Sequence, residues 1–132
     1  MLTDAERERR LPVWHALSDL FLDTESQPED FDRIAATLRA SGYPTDVLHR
    51  ILVEEVAPAF GPNLFSVAGE WAGWSIDAVR ETMTALLARP PRRVWRWLTA
   101  RMLRRHLDEP WAELARRLDG VPDSPPGPSP LA

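Results

Sequence analysis

The chain has 132 residues, 44% of them apolar, with 16 basic and 20 acidic side chains and a formal net charge of −4. That length and apolar share fit one domain with its own core, and the lack of cysteine excludes a disulfide framework or a thiolate metal site. Every basic residue is arginine, which also excludes Schiff-base lysine chemistry and a P-loop lysine.

No apolar run approaches the roughly 18 residues of a spanning helix. The opening MLTDAERERR is charged and lacks the apolar stretch of a signal peptide, so a cytoplasmic location is expected. Thr3 and Glu6 fit a capping box, and the helix they start is expected to kink or restart near Pro12. Beyond it Val13, Trp14, Leu17, Leu20 and Phe21 share one arc at about 100° per residue, which makes that arc a core face. Ser26 with Glu29 predicts a second helix with the stripe Phe31, Ile34, Ala35 and Leu38, ended by Gly42 in a left-handed conformation. Thr45 is the expected cap of a third helix, from Asp46 to about Ala57, which Pro58, Gly61 and Pro62 stop. A short turn capped by Asn63 follows, and Ser75 caps the helix of Ile76, Val79, Met83, Leu86 and Leu87. Pro90 and Pro91 precede a fifth helix from about Arg92 to Leu107; Asp108 and Pro110 open a last one that Gly120 ends.

The segment 121–132 has five prolines in twelve residues and is expected to be a disordered tail. With no β-alternation and no internal repeat, the predicted fold class is all-α. The expected architecture is a compact bundle of five or six short helices in one domain, residues 1–120.

Residues 61–74, GPNLFSVAGEWAGW, place three glycines and two tryptophans around Glu70. A phosphate loop needs a preceding strand and a basic residue, and this stretch has neither. Gly61 and Gly69 fall where positive φ or close backbone approach is needed, and Trp71 and Trp74 read as anchors of the connection. Together, ALSDLFLDTE at 16–25, ILVEEVAP at 51–58 and NLFSVAGEWAGW at 63–74 resemble a family of small bacterial proteins catalogued as a domain of unknown function. The resemblance covers roughly residues 3 to 90, leaves the arginine-rich extension as particular to this chain, and transfers no activity.

Several side chains break the helical pattern. His15, Asp19 and Asp23 are spaced one turn apart and could converge on a cation, although they project from a polar face; no metal is expected. Glu55 falls inside the apolar arc of the third helix while Glu54 lies toward its edge. A carboxylate there needs a partner. Arg105 and Arg80 are the candidate mates in a buried ion pair that fixes register. The catalytic alternative pairs Glu55 with Glu70 as acid and base of a hydrolase. Against it, the chain has no GxSxG, no HExxH and no pair of ExxH motifs, and no nucleophile is evident. No cofactor is expected, and His49 and His106 read as surface residues.

Charge is segregated along the chain. Residues 1–88 are net −8, residues 89–107 hold seven arginines and no acid, and residues 108–132 are net −3. The first functional expectation is a non-enzymatic protein-interaction domain, in its narrowest form an immunity-type inhibitor of a basic toxin. Its contact residues would be Asp19, Asp23, Glu25, Glu54, Glu70 and Trp74. The alternative is a nucleic-acid module acting through Arg92, Arg93, Arg96, Trp97 and Arg104. A third, bland reading packs the basic helix onto the acidic domain and neutralises both.

Overall fold

The computed structural model describes residues 2–21, 27–61, 73–89 and 92–119. Asp23, Glu25, the Ser26 cap, the turn at Asn63, Gly69, Glu70, Trp71, the stop at Gly120 and the tail at 121–132 lie outside the described residues. Every regular element among those described is helical.

Helix α1 (Asp4–Ser18) starts where expected, with the Thr3 hydroxyl accepting the Glu6 N–H at 3.1 Å. It does not restart at Pro12 but continues through it. The proline ring is exposed while Leu11, Val13 and Trp14 beside it are buried, so packing on both flanks outweighs a penalty of about 3 kcal/mol for an interior proline. A 3₁₀ turn, Asp19–Phe21, then buries Leu20 and Phe21. Helix α2 (Pro28–Ser41) begins one residue later than the Ser26–Glu29 pattern predicts: the Asp30 carboxylate accepts the Gln27 N–H at 2.8 Å. Gly42 ends it at φ 80°, the left-handed geometry expected there.

Helix α3 (Thr45–Ile51) takes Pro44 as its cap, so Thr45 is the first helical residue rather than the cap. It leads directly into a π-helical turn, Leu52–Val56, and then α4 (Ala57–Phe60). Pro58 therefore does not stop the helix. A proline ring crowds the carbonyl four residues back, here that of Glu54, and the wider π turn relieves that crowding: the Ala57 N–H reaches five residues back to Leu52. Helix α5 (Ile76–Ala88) is capped by Ser75, whose hydroxyl accepts the Ala78 N–H at 3.1 Å.

The two helices expected after Pro91 are one, α6 (Arg93–Asp119), of 27 residues. At about 1.5 Å per residue it is roughly 40 Å long. Pro110 lies within it, held between buried Leu107 and Leu114. The core collects Leu17 and Phe21 from the first segment, Ile34 and Leu38 from α2, Leu48 and Ile51 from α3, Met83 from α5 and Leu103 and Leu114 from α6. Helix α1 packs on α2, α5 and the π turn, and α6 packs on α2, α3 and α4.

Gly61 marks the crossing of α4 and α6. Its φ is −53°, so close approach and not positive φ is what it supplies: a Cβ there would stand 2.6 Å from Leu103 Cδ1. Among the described residues no helix is long and apolar enough to cross a membrane.

Candidate interaction surface

The two halves of α6 have different surroundings. In the C-terminal half Arg117 bonds Asp32 at 2.8 Å, Arg39 donates to the Arg117 carbonyl at 3.1 Å, and the Trp111 ring lies 5.0 Å from that of His49. His106 Nε2 is 2.9 Å from the Leu20 carbonyl oxygen, which requires that nitrogen to carry a proton. This half is docked on the bundle.

The N-terminal half is docked along one side only, through Thr99 and Leu103. Every residue from Arg92 to Trp97 is exposed, with Val94 at 72%, Trp97 at 61% and Trp95 at 48%, and Met102 follows at 54%. At about 100° per residue, Val94, Leu98 and Met102 fall within an arc of roughly 80° that Trp95 widens, facing away from buried Thr99, Leu103 and Leu107. Arg101 flanks this apolar stripe and Arg105 closes its lower end, while Arg93, Trp97 and Arg104 form a neighbouring row. The Arg101 guanidinium lies 5.6 Å from the Trp97 ring centre. Among the described residues, Arg92, Arg93, Arg96, Arg101, Arg104 and Arg105 form no ion pair. The bland expectation that the body's acids neutralise this helix is therefore not met there. Between it and the π turn runs a groove of about 350 Å³, lined by Val53, Glu54, Arg93, Arg96, Trp97 and Ala100.

Of the contact set expected on the acidic face, Asp19, Glu54 and Trp74 are among the described residues. Asp19 accepts Arg33 at 3.1 Å, so its charge is already matched. Trp74 is half-buried, its ring 4.7 Å from Phe60 and its carbonyl 2.8 Å from His15 Nε2. Glu54 is exposed at the rim of the groove. With His15 on a carbonyl and Asp19 on an arginine, neither is turned toward a shared cation; among the described residues no three potential ligands converge.

Glu55 is half-buried and paired, but with neither expected mate. Its carboxylate meets the Arg10 guanidinium and accepts the Trp14 indole N–H at 2.8 Å. Arg80 instead reaches Asp77 at 2.9 Å and Glu8 at 3.3 Å, and Arg105 is exposed. The physical reason is which side of the π turn each acid takes: Glu55 lies on the side that packs on α1, whereas Val53 and Glu54 line the groove toward the arginine-rich end of α6. The periodicity contained a sign of this, because Arg10 stands one turn before Trp14 on the buried face of α1. Arg10 also bonds Glu6 at 2.9 Å, and Glu6 accepts the Tyr43 hydroxyl at 2.6 Å. That hydroxyl, then Arg10, hold the Glu6 carboxyl below its ordinary range. Asp30 is lowered by the Gln27 N–H and Arg33, and Glu113 by Arg117 and Arg116. With both its oxygens engaged, Glu55 is a structural strut between α1 and the π turn.

The fold and this surface define an all-α bundle with one long helix half docked and half presented. The chain belongs to the family described as the domain of unknown function DUF7079, which it matches over residues 8–117. The match runs through α6 almost to its end, so the arginine-rich helix is part of the family domain and not an addition to it. No curated protein and no solved structure matches the chain.

Proposed function

We propose that this protein is a non-catalytic interaction domain whose docking surface is the N-terminal half of α6 and whose partner is a protein with an acidic contact face. The observation that carries the reading is the coincidence, on the exposed side of one helix half, of arginines that form no ion pair among the described residues and of Val94, Trp95, Trp97 and Met102 in solvent. Tryptophan, arginine and methionine are the residue types enriched at protein interfaces, and exposed apolar clusters of this kind mark partner sites. The narrower reading, a bacterial immunity-type inhibitor gripping a basic toxin, has less support on the described surface. Of its three contact residues that are described, Asp19 is paired with Arg33, Trp74 is half-buried and Glu54 is exposed without an ion pair among the described residues.

A second reading, nucleic-acid binding, is favoured by Trp97, Arg93 and Arg96 lining one groove, an aromatic plane beside two phosphate-binding groups. One experiment separates the two. The native chain and a variant with Arg93, Arg96, Arg101 and Arg104 changed to glutamate are used as baits in cells of origin, with and without nuclease. The docking reading expects nuclease-resistant protein capture that the variant loses; capture unaffected by the charge reversal contradicts it. Capture that nuclease abolishes assigns the surface to nucleic acid instead.

A further inference from the structure

Resting on the docking reading, we infer that the partner element seated on α6 is an acidic amphipathic helix, lying along the Val94–Leu98–Met102 stripe. These three residues are four apart, so they form one ridge of the kind that fits between side-chain rows of a second helix. From 94 to 102 the ridge is about 12 Å long at roughly 1.5 Å per residue, a little over two turns. Such a ridge suits a helical partner; an extended strand would present side chains on alternate faces with a period of two.

Charge then selects among helices. No acid occurs between residues 89 and 107, and Arg101 and Arg105 border the ridge. A second copy of this chain docking through its own α6 would bring the same seven arginines against them and be repelled. Carboxylates along one flank of a partner's apolar stripe would meet Arg101, with Arg104 and Arg93 beyond Trp97 on that same side, and Arg105 at the end of the ridge. Trp95 and Trp97, exposed at 48% and 61%, would bracket that helix as its aromatic anchors. An anionic lipid surface would also meet the arginines, but it would draw the net −8 body of residues 1–88 toward like charge.

The test uses the full chain and a designed, fluorescently labelled peptide of about five helical turns, at about 3.6 residues each. It has leucines at i, i+4 and i+7 and glutamates on both flanks. Its control has the same composition with the leucines spread around the helix. Fluorescence anisotropy is expected to show at least about tenfold tighter binding of the striped peptide, equivalent to about 1.4 kcal/mol. Val94→Asp with Met102→Asp should remove that preference while circular dichroism and Tm stay unchanged, because both side chains are exposed. Equal binding of the two peptides, or a preference that survives the double substitution, overturns the inference. So does binding of phosphatidylglycerol vesicles or an oligonucleotide, rather than the striped peptide, that the double variant loses. Partner capture that depends on the arginines but not on Val94 and Met102 would leave the docking reading standing and remove this inference alone.

Discussion

Arg10 shows how much one side chain can hold in this fold. It joins Glu6 on its own helix to Glu55 on the π turn, and the two ion-pair members Arg10 and Glu55 are 17% and 19% exposed. Hydrogen bonds to charged groups are worth about 1.5–3 kcal/mol, and Arg10→Met should lower urea-measured stability by roughly that amount. Replacing both members, Arg10→Met with Glu55→Leu, should cost less than the sum of the single changes, because no charge is left without its partner. Glu6 gives a pH prediction. Its folded pKa lies below the ordinary 4.5, so the folded state binds its proton less tightly than the unfolded chain does. The stability it adds is present above about pH 4.5 and is lost as pH falls through the folded value. Tyr43→Phe removes the hydrogen bond that contributes most, and should move the NMR titration midpoint of Glu6 upward. An unmoved midpoint would show that the hydroxyl does not hold the carboxylate. Glu55 itself was legible as an acid in an apolar arc. Its mate was not, because periodicity places a residue on its own helix and says nothing of which helix lies opposite.

At the scale of elements, the sequence misleads in a consistent way. Pro12, Pro58 and Pro110 all read as breaks, and all lie inside continuous helical segments. A proline's local penalty is fixed, but the packing on either side of it depends on tertiary neighbours that no window of sequence contains. Caps were more legible: Thr3, Gly42 and Ser75 act where the pattern puts them, and the caps expected at Ser26 and Thr45 fall one residue away, at Gln27 and Pro44, since a cap is a local hydrogen bond or backbone preference. Two substitutions test this contrast by thermal unfolding. Pro12→Ala, at an exposed site in a continuous helix, should raise stability by as much as about 3 kcal/mol. Gly61→Ala should lower it by about 1–3 kcal/mol, because the added methyl must displace Leu103 from its seat. A neutral Gly61→Ala would mean that the contact between α4 and α6 is looser than the distance implies.

For the molecule as a whole, the division into an acidic body and a basic segment is plain from residue order, as is the all-α class. What residue order could not decide is whether those arginines face the body's acids or the solvent. That depends on where α6 ends its contact with the bundle, and the boundary falls after its first two turns, with Arg92 to Trp97 exposed and Thr99 buried. The family match extends the same conclusion: the basic helix is within the domain, so its exposed half belongs to the family unit. The most direct measurement is site-specific photo-cross-linking in cells of origin, with the cross-linking amino acid at position 97 on α6 or, as a control at another exposed apolar residue, at position 76 on α5. The account predicts a discrete, nuclease-resistant protein adduct from position 97 and none from position 76. No adduct from position 97, or the same adducts from both positions, would contradict it.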